Sequence, residues 1–341
     1  MSSLVDLSGW RQRRSDPDEG AGPLARLRIL ARDLPGMRSE TRALAAAAEL
    51  LDLYGRLDEA GRLEFFRLLR DDFDPDPQAL TAAARAYAED PGPANLERLT
   101  RLSEPPRQEL LRRLNAAPDG TARLVALRAD LIRAMQAGEE MSRVDADLRH
   151  LLRSWFNRGF LMLERIDWSS PAALLEKLIE YEAVHEINGF EDLRRRVLPP
   201  DRRCYAYLHP AMPDDPLIFV EVALMRGLPG SVQAIMADSR TPIQAEETDT
   251  AVFYSISNCQ AGLAGISFGN LLIKNVVAEL RRDLPQLDCF VTLSPIPGLR
   301  RWLERRAAAG DGQAAAVIAR DAPVDAEDAG AMALAARYLL V

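Results

Sequence analysis

Apolar positions in this chain follow one rule up to about residue 150 and another after it. From about Pro23 to about Arg153 they recur at helical spacing. Ala43, Leu44, Leu50, Leu51 and Tyr54 line one face behind Ser39, a candidate cap. Leu63, Phe66 and Leu69 do so behind Asp58, and Leu124, Leu127, Leu131 and Met135 line a longer helix. The vocabulary is Ala, Leu, Arg and Glu with few β-branched residues, which favours helix. Asp74-Pro75-Asp76-Pro77 and Asp90-Pro91-Gly92-Pro93 break the pattern and bracket a helix around Leu80 to Ala88. Pro105 and Pro106 suit a first turn ahead of Leu110, Leu111 and Leu114, and Pro118-Asp119-Gly120 is a turn. Helices joined by short loops predict an antiparallel bundle, with the arginine and glutamate runs on solvated faces.

From about Leu151 the pattern shortens. Strands are predicted near Phe160 to Leu163, then over Cys204 to Leu208, Leu217 to Leu224, Ser231 to Met236, Ala251 to Ser257 and Cys289 to Leu293. Arg226 to Gly230 reads as the hairpin loop between the third and fourth of these. Helices are predicted from about Pro171 to His185 and Gly269 to Asp283, and again over Ala314 to Ala319 and Ala331 to Leu340. Antiparallel strands followed by a strand–helix–strand unit give a mixed sheet. The fold class is α+β: a short disordered arm (1–22), an all-α helical domain (23–150), and a mixed-sheet domain with flanking helices (151–341).

Composition narrows the classes. The 341 residues are 48% hydrophobic and 28% charged, ordinary for a globular protein. The formal net charge of −8 argues against nucleic acid as a partner. Cys204, Cys259 and Cys289 form no C-x-x-C pair, and His150, His185 and His209 show no ligand spacing, so no metal site is expected. The cysteines read as buried thiols, and His185 and His209 as packed polar residues. No apolar run is long enough to span a bilayer and the first residues lack a signal core, so no membrane partner and a cytoplasmic location are expected.

Two places carry candidate chemistry. Gln260, Gly262, Gly265 and Gly269 lie between a strand and a helix. Glycine lets a loop turn tightly and lets a bulky anion approach, and the first amides of a helix are unpaired and partly positive. Together these suit a pyrophosphate, although the spacing is neither the Walker nor the dinucleotide pattern, and the same glycines are also what a tight turn needs. The arrangement resembles the acyl-CoA site of the acetyltransferase (GNAT) fold. In Leu293-Ser294-Pro295-Ile296-Pro297-Gly298, two prolines and a glycine fix a turn directly after an apolar strand. Ser294 is held at the strand end, either as a reactive group or as a cap for a helix beginning near Leu299. It is not in a G-x-S-x-G elbow.

A series of segments in order resembles the malonyl-CoA decarboxylase family. They are W-F-N-R-G-F-L-M-L-E-R-I-D-W (155–168), E-A-V-H (182–185), R-R-C-Y (202–205), H-P-A-M-P-D-D-P-L (209–217), Q-A-I-M (233–236), F-Y-S-I-S (253–257), Q-A-G-L-A-G (260–265) and L-S-P-I-P-G (293–298). The resemblance implies a helical domain that forms homo-oligomers, then a GNAT-like catalytic domain. It implies conversion of malonyl-CoA to acetyl-CoA and CO2 without metal, biotin or other cofactor. By position, the family's acyl-CoA loop falls on Ala264, Gly265, Ile266, Ser267, Phe268, Gly269 and Asn270, and its catalytic, substrate-binding serine on Ser294. The family's catalytic histidine lies in a downstream F-H-L-x-N-G-A segment, whereas positions 295–341 hold no histidine. The C-terminus is therefore expected to be truncated relative to the family. The alternative reading is a catalytically impaired homologue that binds acyl-CoA or only oligomerises; acetyl transfer on the same fold ranks behind both.

Overall fold

The structure is a computed structural model that describes residues 22–237, 239–294, 296–320 and 328–340. The expected arm thus lies outside the described residues, except for Gly22. The chain divides into two compact units, Met1–Phe160 with Gln260–Ile266, and Leu161–Cys259 with Ser267–Val341.

The first unit holds eight α-helices among the described residues. They are α1 (Pro23–Asp33), α2 (Glu40–Arg56), α3 (Glu59–Asp71), α4 (Pro77–Glu89), α5 (Pro93–Ser103), α6 (Pro106–Asn115), α7 (Gly120–Gln136) and α8 (Ser142–Trp155). The apolar stripes of α1, α2, α3, α6, α7 and α8 meet in one core through Leu27, Leu50, Phe65, Leu110, Leu127 and Leu148. Asp58 caps α3 as its position suggests, accepting from the Gly61 amide at 2.8 Å. Ser39 precedes α2 but makes no side-chain cap bond.

The expectation that the arginines sit on solvated faces fails at two places. Arg107 and Arg128 are each 2% exposed. Arg107 is paired with Asp147 and Asp74, and Arg128 donates from Nε to Asp145 at 2.8 Å. A buried guanidinium survives where carboxylates and carbonyls take up its donors, because the desolvation cost is then offset. Arg128 gives its remaining reach to the chain at 260–266: Nη1 donates to the carbonyls of Gly262 at 2.6 Å and Ala264 at 2.9 Å. Gly262 packs on the backbone of α7. A Cβ there would lie 1.8 Å from the Val125 carbonyl oxygen.

The second unit is built on a five-stranded sheet in sequence order among the described residues. The strands are β1 (Met162–Ile166), β2 (Arg202–Leu208), β3 (Ile218–Met225), β4 (Thr250–Asn258) and β5 (Cys289–Thr292). Neighbours are antiparallel from β1 to β4, and β4–β5 is parallel. The helices α9 (Ala172–Tyr181) and α10 (Phe190–Val197) pack Leu174, Leu178 and Leu193 against Cys204, Ala206 and Leu208. Alternation puts Tyr205 and Tyr207 on the other face. There α12 (Gly269–Asp283) packs, with Asn275 donating to the Tyr207 hydroxyl at 2.6 Å. Past β5 come α13 (Leu299–Ala308), α14 (Gly312–Ile318) and α15 (Ala329–Leu339).

One predicted strand is a helix. Ser231 to Met236 forms α11 (Val232–Met236), with Ser231 Oγ accepting from the Ala234 amide at 3.2 Å. Both edges of β3 are already occupied, by β2 and β4, so no hairpin partner is needed at this point. The helix predicted to reach His185 stops at Tyr181. The Glu182 carboxylate then turns back to accept from the amides of Val184 and His185 and from the hydroxyls of Ser255 and Ser257, at 2.7–3.0 Å. Cys204 and Cys259 are buried, as read from the sequence, whereas Cys289 is half-buried.

The sheet core encloses a charge. Glu221 on β3 is fully buried, with Arg196 at 3.4 Å. Burial raises its carboxyl to about 8; Arg196 opposes the rise and Glu182 adds to it. A carboxyl whose folded pKa lies above its unfolded value favours folding at low pH, and that contribution is lost as pH rises through the folded pKa. The wild-type melting temperature is therefore expected to fall relative to that of Glu221→Gln between about pH 5 and 9, with the gap widest at the alkaline end; parallel curves would contradict this. In the helical unit, Gly262→Ala is expected to cost at the upper end of the roughly 1–3 kcal/mol typical of overpacking, since the obstacle is backbone. Denaturant unfolding measures it.

Candidate active site

The site begins with an irregularity in the sheet. On β3, Glu221 faces Ser255 and Val222 faces Phe253, so Tyr254 is an extra residue in β4. A bulge of this kind bends the strand and increases its twist. On its other edge β4 pairs with β5 only from Thr250↔Cys289 to Phe253↔Thr292, and the Leu293 amide still donates to the Phe253 carbonyl at 2.8 Å. Beyond the bulge β4 runs on to Asn258 without β5. Two neighbouring parallel strands therefore part at their C-terminal ends, the place where open sheets present residues to a ligand.

Ser294 lies at this parting, one residue past Leu293, and is exposed. It does not cap the next helix: the N-cap of α13 is Gly298, at φ +77°. The turn is held from α15. The Tyr338 hydroxyl donates to the Pro297 carbonyl at 2.6 Å, and its ring lies 5.6 Å from that of Trp302. A Cβ at Gly298 would lie 2.7 Å from the Tyr338 oxygen, so this position needs glycine for space as well as for φ. Pro295 falls outside the described residues.

The glycine loop follows β4. Ala264 and Gly265 are exposed and Ile266 is half-buried; these three belong to the helical unit. Ser267 and Asn270 are exposed, Gly269 is half-buried and Phe268 is buried; these four belong to the sheet unit. Phe268 is the N-cap of α12, and no side chain caps that helix. Its first amides carry the partial positive charge of a helix start. Ser267 to Asn270 and Ser294 thus follow the ends of adjacent parallel strands.

The loop glycines have separate reasons. Gly262 is set by close packing on Val125, and Gly265 by its φ of +77°. Gly269 has ordinary room, its nearest neighbour being Ile218 Cδ1 at 3.6 Å from a built Cβ. Sequence reasoning missed Arg128, which holds the loop through two carbonyls. Its only sequence signal is an arginine on the apolar side of α7. Glu182 was also missed as the group that ties Ser255 and Ser257 of β4.

The histidines take no part in a cluster with Ser294 that the structure records. His150 is exposed. The half-buried His185 stacks 6.3 Å from Tyr254, and its carbonyl accepts from Arg196 at 2.7 Å. His209 is buried, with Nδ1 accepting from the Ala211 amide at 3.2 Å. Among the described residues no group of three or more His, Cys, Asp or Glu side chains is placed to hold a metal ion. No helix among them is long and apolar enough to cross a membrane.

Comparison with known proteins agrees with this architecture. A family model described as the malonyl-CoA decarboxylase C-terminal domain matches residues 159–333, and one described as the N-terminal domain of the same enzyme matches residues 73–156. The chain is 37% identical over 292 residues to mitochondrial malonyl-CoA decarboxylase of Mus musculus, covering 78% of this chain and 58% of that protein. It is 44% identical over 200 residues to the mitochondrial enzyme of Anser anser anser, covering 57% and 40%. The chain thus spans about half the length of these curated relatives. The crystal structure of malonyl-CoA decarboxylase from Rhodopseudomonas palustris matches with a TM-score of 0.82 and 47% identity, over 91% of this chain and 77% of that one. That from Agrobacterium vitis gives 0.79 and 49%, over 89% and 71%. By sequence in both of its parts and by fold, this chain belongs to the malonyl-CoA decarboxylase family.

Proposed function

We propose that the protein decarboxylates malonyl-CoA to acetyl-CoA and CO2, with Ser294 at the reacting thioester and Ala264, Gly265, Ile266, Ser267, Phe268, Gly269 and Asn270 as the loop that receives the CoA ester. Family membership supports the substrate, and the parting of β4 from β5 beside an exposed Ser294 is the observation that carries the site. The uncapped start of α12 and the exposed backbone of small loop residues suit the pyrophosphate.

The chemistry needs little machinery. The bond between the α-carbon and the carboxylate breaks, CO2 leaves, and the electron pair stays as an enolate on the thioester. A hydroxyl aimed at the thioester oxygen stabilises that charge as it develops. A proton then adds to the α-carbon. Ser294 is assigned the first task. The reading is of a cofactor-independent reaction in the cytoplasm, serving fatty-acid and malonate metabolism. In the same reading residues 23–150 are the oligomerisation domain of a homo-oligomer and 151–341 the catalytic domain.

A second reading is a protein that binds the CoA ester without turning it over. Release of labelled CO2 from malonyl-CoA separates the two. Release by the wild-type chain that drops about 10²- to 10³-fold in kcat in Ser294→Ala, with CoA-ester affinity held within a few-fold, is the expected result. Undiminished turnover in the variant would remove Ser294 from the mechanism. Binding without release in the wild type would favour the second reading.

A further inference from the structure

The sheet unit contains a cavity that shares no lining residue with the glycine loop or Ser294. It is a cavity of about 150 Å³ between α10, the end of α11 and the bulged part of β4. Arg195, Arg196, Arg202, Arg240, Asp192 and Tyr254 line it, with apolar contributions from Ile235 and its neighbours. Holding one water takes roughly 10–15 Å³ on this measure, so there is room for several waters or for one small molecule.

Charge in this cavity is unbalanced among the described residues. Four guanidiniums face it, and three carboxylates among the described residues, Asp192, Asp201 and Glu221, lie within ion-pair distance of Arg195, Arg196 and Arg240. Asp192 takes Arg196 at 3.2 Å and Arg195 at 3.5 Å. Asp201 takes Arg240 at 2.6 Å. Arg202 is left with carbonyls: Ile235 at 2.6 Å and Asp201 at 3.1 Å, while the Asp201 carboxylate is 3.9 Å away. Yet Arg202 is only 5% exposed. Burial pushes its guanidinium below the ordinary value, with Tyr254 opposing and Arg240 adding to the shift. Glu221 lies 3.4 Å from Arg196.

The second observation is independent of charge. Tyr254 is 1% exposed, and its hydroxyl has no hydrogen-bond partner among the described residues. A buried hydroxyl without a partner costs free energy comparable to a lost hydrogen bond. The bulge that puts Tyr254 in β4 also brings it to the wall of the arginine-lined cavity.

We propose that this cavity binds a small oxyanion, a carboxylate or a phosphate, with the Tyr254 hydroxyl donating to one oxygen and the Arg202 and Arg240 guanidiniums answering its charge. The ligand must be small, because the cavity does not hold a nucleotide or a CoA moiety. Charge-assisted bonds from arginine to an oxyanion are among the strongest available to a protein. The site stands whether or not the proposed decarboxylation does.

Thermal unfolding of the full chain tests it. Potassium phosphate and sodium malonate are titrated separately against potassium chloride at matched ionic strength, so the two arms show which oxyanion class is held. The expected result is a saturable rise in melting temperature with at least one of them, beyond the chloride control. Half-saturation should move at least tenfold higher in Tyr254→Phe, which keeps the ring, and in Arg240→Gln, which removes one guanidinium of the wall and also unpairs Asp201. Ser294→Ala should keep the wild-type response, which places the binding away from the proposed reaction site. A rise that tracks ionic strength alone, or one unchanged in both cavity variants, overturns the proposal.

Discussion

The extra residue in β4 is the constraint on which the rest of the sheet unit depends. A strand cannot stay in register with both neighbours once a residue has been added on one side. Here Tyr254 is that residue, and β4 keeps β3 while losing β5. The consequence is an opening at the ends of two parallel strands, bordered by Ser294 and by the residues that enter α12. The same residue forms a wall of the arginine-lined cavity. One local departure from regular pairing therefore marks both the end of the β4–β5 pairing and a wall of the cavity.

Such an opening has to be held, and polar groups hold it. Glu182 gathers two amides and two β4 hydroxyls, which fixes the strand where β5 no longer supports it. Tyr338 fixes the turn after Ser294 through a single carbonyl. In the helical unit Arg128 does comparable work on residues 262 and 264. Glu182 and Arg128 each satisfy two backbone groups and Tyr338 satisfies one, which orders irregular backbone without regular structure. Loops held in this way are suited to present a ligand-binding surface, because little ordering is left to be done on binding.

Fully buried charge marks where this fold departs from a purely apolar core. Glu221 and Arg196 are too far inside for either to be solvated, and a hydrophobic pair in their place would often be as stable. Their presence beside the bulge and the cavity associates them with shape and charge at that point.

Much of this was legible in the chain. Helical periodicity before residue 150 and short β-rich runs after it give the α+β class. The helix expected from about Gly269 to Asp283 is present as α12, because Leu272, Val276 and Leu280 recur at helical spacing. The order of segments from Trp155 to Gly298 indicates the family. What the sequence does not give is anything that depends on a partner distant along the chain. Ser231 to Met236 has strand composition and forms a helix, because no strand edge awaits it. Arg107 and Arg128 look like surface charge and are buried, because their carboxylates and carbonyls arrive from other elements. The bulge at Tyr254 leaves no mark in F-Y-S-I-S, since register is a property of two strands and not of one. Local propensity and periodicity are written in neighbouring residues and can be read there. Register, burial of charge and the meeting of side chains from separate elements exist only after the chain has closed on itself, and those are what make the candidate site.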